Sequence, residues 1–258
     1  MLLAIDIGNS NISVGLFDEK RDLKFLSSID TDSRKTADQI SIDLMNIFSL
    51  YRYDLRDVSG AIFSSVVPPI NFMMAKALTR LLGKPPMIVG PGVKTGLNIR
   101  MEIHNQLGAD LVAGAVAALD KYPTPIIMID MGTATTISYI SSKRSYEGGL
   151  MFPGVRLSLD ALSDHTAQLP DIALEAPRKV ICSVTEDSLQ AGAIYGAAAM
   201  ADGLLERMEE ELGQPCTAVA TGGLSGIITP YCRRRIRHDD SLLLRGLALI
   251  WRKNCGNR

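Results

Sequence analysis

Residues 126–136 read Ile-Ile-Met-Ile-Asp-Met-Gly-Thr-Ala-Thr-Thr: an apolar run into Asp130, then Gly132, then the hydroxyls of Thr133, Thr135 and Thr136. Bounded by Pro125 and Gly132, the run predicts a buried strand whose far end turns tightly. A carboxylate at that end suits a metal–phosphate group. It can hold a cation, while the glycine lets backbone amides approach phosphate oxygens. Alone, the stretch fits an ordinary strand and turn with an exposed Asp equally well. A second copy decides between the two. Leu2-Leu3-Ala4-Ile5-Asp6-Ile7-Gly8-Asn9-Ser10-Asn11 has the same grammar, and each copy runs into an alternating segment, residues 12–17 and 137–140. Alternation directly after a tight turn is the pattern of a β-hairpin. Two such hairpins predict a duplicated α/β fold whose halves face each other across a nucleotide.

The chain of 258 residues is long enough for two modest domains with ample core. Lys plus Arg number 27 against 28 for Asp plus Glu, a balance that argues against a nucleic-acid partner. With 5% aromatic residues, base-stacking surfaces are not expected either. No apolar run reaches the ~20 residues of a membrane span, and the N-terminus enters a strand with no basic leader. Cys182, Cys216, Cys232 and Cys255 are scattered, as are His104, His165 and His238, so neither a disulfide framework nor a zinc site is expected. These features imply a cytoplasmic protein with no membrane partner.

In order, the first half predicts the hairpin, a strand at 24–29, a helix after Thr36, a strand at 60–67, a helix at 70–82 and a strand at 87–89. Thr36 and Gln39 have capping-box spacing, and Ile40, Leu44, Ile47 and Phe48 follow on one helical face. The second half nearly repeats this: a helix at 110–122, the hairpin at 126–140, strands at 145–151 and 217–220, and helices at 156–167, 185–212 and 241–253. The repeat sets the expected division at residues 1–115 and 116–258. Four arginines within 232–237 read as a solvated loop.

Gly108-Ala109-Asp110 stands where an irregular segment enters a helix. Asp110 there is either a helix cap or a general base beside a phosphoryl acceptor, and the spacing leaves both open. Gly148-Gly149 and Gly222-Gly223 follow strands, so they are turns or places where a nucleotide lies close to the backbone.

Over its full length the chain resembles the type III pantothenate kinases, of the acetate and sugar kinase and actin superfamily. The carriers are Asp6-Ile7-Gly8-Asn9-Ser10, Ser65-Val66-Val67-Pro68, Lys94-Thr95-Gly96-Leu97, Gly108-Ala109-Asp110 and Asp130-Met131-Gly132-Thr133-Ala134-Thr135-Thr136. Gly148-Gly149, Pro153-Gly154, Leu169-Pro170, Thr221-Gly222-Gly223 and Leu244-Arg245-Gly246-Leu247 complete the series. The Asp-x-Gly motifs point only to the superfamily; the Gly-Ala-Asp, Pro-Gly and Leu-Pro landmarks in this order point to the family.

The resemblance implies a duplicated actin-like ATPase (ribonuclease H-like) fold, with a mixed sheet flanked by helices in each domain. It implies ATP-dependent phosphorylation of the pantothenate hydroxyl, the first step toward coenzyme A, with magnesium, a monovalent cation such as potassium or ammonium, and a homodimer. By the same resemblance Asp6 positions magnesium with ATP, Gly8, Asn9, Ser10 and Asn11 cradle phosphates, and Thr133, Gly222 and Gly223 contact the nucleotide. Asp130 matches the monovalent-cation ligand and Asp110 the catalytic base. Met101, Gly108, Ala109, Asp110, Leu111 and Thr185 fall at acceptor positions.

The chain departs from the family on the acceptor side. Leu111 stands where Arg is usual, Met101 where Tyr is usual, and Ile103-His104 where Asn-Pro is usual. Cys182-Ser183-Val184 replaces the Gly-Lys-Asn that precedes the threonine. The alternatives are a paralogous kinase for another small hydroxylated acid, and a nucleotide-binding regulatory protein without turnover.

Overall fold

The computed structural model describes residues 1–101, 107–175 and 177–255. The departures at Ile103 and His104 lie outside these residues.

Leu2–Ile7 (β1) and Asn11–Phe17 (β2) form the first hairpin, and Leu23–Asp30 (β3) adds to its outer edge. Ala37–Leu50 (α1) starts at a complete capping box: Gln39 N–H donates to Thr36 Oγ1 at 3.3 Å, and Thr36 N–H to Gln39 Oε1 at 2.9 Å. Each end group thereby satisfies an amide that the first turn leaves open. Gly60–Ser65 (β4) pairs parallel with β1. Pro68–Leu82 (α2) follows at once, because proline tolerates the first helical turn, and it stops at Gly83, whose φ is 70°. Met87–Ile88 (β5) completes the order β3-β2-β1-β4-β5.

Asn98–Ile99 (β6) and Ala109–Lys121 (α3) lead to the second hairpin, Ile126–Met131 (β7) and Ala134–Ile140 (β8), and then to Ser145–Pro153 (β9). Val155–His165 (α4), the 28-residue Thr185–Leu212 (α5), Thr217–Thr221 (β10), the short Ser225–Ile228 (α6), Arg237–His238 (β11) and Leu242–Cys255 (α7) follow. The second sheet runs β11-β10-β7-β8-β9-β6. Setting β6 aside, its strands repeat the connectivity of the first sheet, with an antiparallel meander and two parallel additions. The duplicated α/β fold expected from the paired hairpins is therefore what the chain adopts.

The halves are not simple consecutive segments. One compact unit comprises residues 1–97, 103–120 and 241–258, and the other 98–102 and 121–240, whereas the repeat suggested one cut near residue 115. The closing helix α7 belongs with the first unit. Its Trp251 covers Gly60, and its Gly246 lies on the backbone of Ala113 in α3, each so closely that a Cβ on the glycine would collide. In the first unit Leu3, Ile5, Val14 and Phe63 pack with the buried face of α1; in the second, Ile127, Ile129 and Ile137 pack with Ile194, Ala198 and Leu205 of α5. Among the described residues no helix is long and apolar enough to cross a membrane. The four cysteines are free thiols.

Candidate active site

In the first unit, Asp6 is the fifth residue of β1, and the chain turns at Gly8. The Gly8 amide closes the turn on Asn11 O at 3.0 Å. From the end of β3, Thr31 pins the same turn, donating from Oγ1 to Gly8 O at 2.7 Å and from N–H to Ser10 O at 2.9 Å. The side chains of Asn9, Ser10 and Asn11 are exposed at the tip. Gly8 thus shapes the turn, and its neighbours present the polar groups.

Asp6 itself is only partly exposed. Ser64, directly opposite on β4 and fully buried, donates to Asp6 Oδ1 at 2.6 Å. Burial pushes the Asp6 carboxyl up to about 7; the Ser64 hydrogen bond works against that, and the charge of Asp110 adds to it.

Asp110 lies in the first turn of α3, one residue past its start, so it is not the cap that sequence left open. Its Oδ1 accepts the Leu111 N–H at 2.8 Å. The carboxylate lies against Gly108, where a Cβ would collide with it, which explains the glycine of Gly-Ala-Asp. Burial raises the Asp110 pKa, and hydrogen bonds from the Leu111 amide and its own amide moderate the rise. The unit therefore holds two carboxylates whose pKa is raised chiefly by burial, one near the end of an apolar strand and one in the first turn of a helix, where the positive end of the dipole lies. Ala109 and Leu111 flank the second, both half-buried.

In the second unit the ladders put Thr221, Asp130 and Thr136 in one row across β10, β7 and β8. Gly222 follows with φ 90°, and a Cβ there would meet Met131 N at 2.7 Å. This glycine serves close packing against β7, whereas Gly223 faces open space. Gly154 N–H donates to Thr133 O at 2.9 Å and leaves no room for a Cβ against the Gly132 and Thr133 carbonyls. The Pro153-Gly154 landmark is thus a brace for the Asp-x-Gly turn, which exposes Thr133. Gly149 is likewise pressed onto Ile137 O, while Gly148 takes φ 144° with space around it. Thr185 begins α5 and is exposed, and Met101 is half-buried. Two of the three glycines of α5, Gly192 and Gly196, line an apolar cavity of about 190 Å³ with Met131, Phe152 and Met200. The arginine run is a surface loop, as expected, only as far as Ile236, because Arg237 opens β11. Arg233, Arg235 and Arg237 are exposed, and Arg234 pairs with Glu209 at 2.5 Å.

Sequence reasoning missed Ser64 and Thr31. Ser64 left one signal, a hydroxyl closing an apolar strand where burial demands a partner.

The donor chemistry fits the implied cations. Among the described residues no group of three or more His, Cys, Asp or Glu could enclose a metal. Magnesium needs no such cage, since it keeps waters and is held by one or two carboxylates plus phosphate oxygens. Asp6, a buried carboxylate that a cation would stabilise in its charged form, matches that demand. At the second hairpin, Thr136 Oγ1 is buried with no hydrogen-bond partner among the described residues, in the row of Asp130. A hydroxyl and a carboxylate in one row suit a hard cation that takes oxygen ligands.

Comparison with known proteins agrees with this geometry. Residues 2–207 match the family model for type III pantothenate kinase. A type III pantothenate kinase from Exiguobacterium sp. is 41% identical over 254 residues, 98% of this chain and 99% of the relative. One from Moorella thermoacetica is 39% identical, over 98% of this chain and all of the relative. Among solved structures, the activator of the 2-hydroxyisocaproyl-CoA dehydratase from Clostridium difficile, with bound ADPNP, covers 99% of this chain at 12% identity with a TM-score of 0.61. That likeness concerns the fold alone. With its two hairpins, its Gly-Ala-Asp helix start and relatives alike from end to end, the chain belongs to the type III pantothenate kinase family.

Proposed function

We propose that the protein transfers the γ-phosphoryl group of ATP to the hydroxyl of pantothenate. Beyond the family, the observation that carries this reading is the presence of two carboxylates whose pKa is raised by burial, Asp6 and Asp110, in one unit. Such transfer needs a carboxylate for the metal–phosphate group and a base for the acceptor hydroxyl. Asp6 takes the first role, with Asn9, Ser10 and Asn11 as polar contacts for phosphate. Asp110 takes the second: burial makes it a better proton acceptor than an exposed Asp, and the start of α3 favours negative charge beside it. When bound, magnesium would neutralise charge on the phosphate oxygens. The protein's part is to hold acceptor and phosphoryl group in line and to take up the hydroxyl proton at Asp110. In the second unit, Asp130 with Thr136 is our candidate for a potassium or ammonium ion, and Thr133 and Gly223 for the nucleotide. Met101, Gly108, Ala109, Leu111 and Thr185 are our candidates for acceptor contacts. We expect a cytoplasmic homodimer, which light scattering at micromolar protein checks.

The test is a phosphoryl-transfer assay with ATP, magnesium and potassium against a panel of hydroxylated acids. Pantothenate turnover supports the reading; turnover only with another acid, or none at all, overturns it. Asp110→Asn should lower kcat roughly 100- to 10,000-fold while MgATP still binds.

A further inference from the structure

We propose that Ser64 is a positioning residue, which fixes the Asp6 carboxylate for the metal–nucleotide complex. The inference rests on the reading of Asp6 given above. β4 reads Gly-Ala-Ile-Phe-Ser-Ser, and every residue as far as Ser64 is buried. A hydroxyl in such a strand is costly unless it finds a partner. In the parallel ladder Asp6 stands opposite Ser64, so both side chains leave the same face of the sheet. The Ser64 Oγ to Asp6 Oδ1 distance, 2.6 Å, is that of a short O–H···O hydrogen bond. Among the described residues Asp6 takes no other side-chain hydrogen bond, so Ser64 holds the carboxylate by Oδ1, and Asp6 would hold the metal–nucleotide complex from that fixed position. The backbone beneath is rigid. Val66 N–H bonds Ile7 O at 3.0 Å and Ser59 N–H bonds Met1 O at 2.7 Å, closing the β1–β4 ladder at both ends. Asp6 therefore has a single side-chain support, carried on an interior strand whose ladder with β1 is hydrogen-bonded at both ends.

The experiment compares wild type, Ser64→Ala, Ser64→Cys and Asp6→Asn by calorimetric titration with MgATP and with ATP in EDTA. Melting temperatures and steady-state kinetics are read alongside. Ser64→Ala should raise the MgATP dissociation constant roughly tenfold, the worth of a hydrogen bond to a charged group. It should change metal-free ATP binding less than twofold and leave the KM for pantothenate unchanged. Ser64→Cys keeps the volume with a weaker donor, so it should fall between, and it carries the comparison if Ser64→Ala does not fold. Equal losses with and without magnesium would make Ser64 merely structural and overturn the inference. Wild-type MgATP affinity in the Ser64 variants, with Asp6→Asn defective, would overturn this inference alone. Wild-type MgATP affinity in Asp6→Asn would overturn the reading of Asp6, and this inference with it.

Discussion

Gly222 lies so close to Asp130 that a Cβ on the glycine would stand 2.5 Å from the carboxylate Oδ1. The same Cβ would stand 2.7 Å from Met131 N, and the residue's φ is 90°. Substitution thus meets two obstacles, a left-handed backbone and a strand that cannot retreat. The conformation alone costs about 1–2 kcal/mol for an L side chain. Gly222→Ala should destabilise the fold by about 2–4 kcal/mol and lower Tm by roughly 4–15 °C. Gly223→Ala has open space and should leave Tm within about 2 °C. If Gly223 touches nucleotide, its variant raises the KM for ATP without loss of stability. Scanning calorimetry beside ATP kinetics separates the two glycines.

Thr136 offers a prediction in which stability and function move in opposite directions. Its buried Oγ1 has no hydrogen-bond partner among the described residues, a condition that costs roughly 1–3 kcal/mol. Thr136→Val, which removes the hydroxyl at nearly constant volume, should raise Tm by about 2–4 °C in buffer free of potassium and ammonium. If that oxygen and Asp130 hold the monovalent ion, the same variant should lose several-fold of its potassium activation, and Asp130→Asn should lose nearly all of it. Initial rates in potassium chloride and in N-methylglucamine chloride measure both. Unchanged potassium dependence in both variants would place the cation elsewhere.

Why the hairpins were legible and their supports were not follows from how each is encoded. An apolar run, an Asp, a Gly and an alternating segment sit within a dozen residues, so both turns could be read locally. The Thr36–Gln39 box is local in the same way, and the structure completes it. The two-residue strands Asn98–Ile99 and Arg237–His238 are too short for any periodicity to show. Ser64 looks like any strand-end serine until the ladder sets it against Asp6, 58 positions away. The return of α7 to the first unit depends on Trp251 meeting Gly60 and Gly246 meeting Ala113, contacts between distant segments that no local pattern encodes. Leu244-Arg245-Gly246-Leu247 was recognisable as a landmark, while its physical reason, a helix crossing too tight for a side chain, appears only in three dimensions.

Asp6 predicts a pH dependence of the ligand-free fold. Its pKa rises from an ordinary Asp value near 4 in the unfolded chain to about 7 in the folded one, chiefly through burial. The fold thus favours the protonated carboxyl. The resulting stability is fully present below about pH 4, declines as pH rises, and is gone above about pH 7–8. The slope between these limits is at most about 1.4 kcal/mol per pH unit. Asp6→Asn cannot titrate, so the difference in stability between wild type and variant should shrink and then reverse in favour of Asn from pH 5 to pH 8. The charge of Asp110 contributes to the rise, so Asp110→Asn should move the window to lower pH. Urea titrations across that range, without nucleotide or divalent metal, are the measurement. A difference that is flat with pH would show that Asp6 is ordinary.

Leu111 stands where the resemblance to the family implies an arginine on the acceptor side. Its backbone N–H donates to the Asp110 carboxylate at 2.8 Å, and it follows the proposed base directly in the first turn of α3. Arginine there would offer a planar charged fork that suits a carboxylate or a polar acceptor chain, and leucine offers neither charge nor donor. One hydrogen bond to a charged group is worth roughly 1.5–3 kcal/mol, or about 10- to 150-fold in affinity. Wild type should therefore show a high KM for pantothenate or prefer a less polar acceptor. Leu111→Arg should lower the pantothenate KM by about that factor and leave the KM for ATP unchanged. The new cation would also favour the ionised form of Asp110, so the acidic limb of the pH–rate profile should move to lower pH. A gain in pantothenate kinetics would show that leucine limits recognition of the family's substrate. Efficient turnover by wild type, with Leu111→Arg changing neither KM nor pH profile, would show that the acceptor's polar groups are met by other residues.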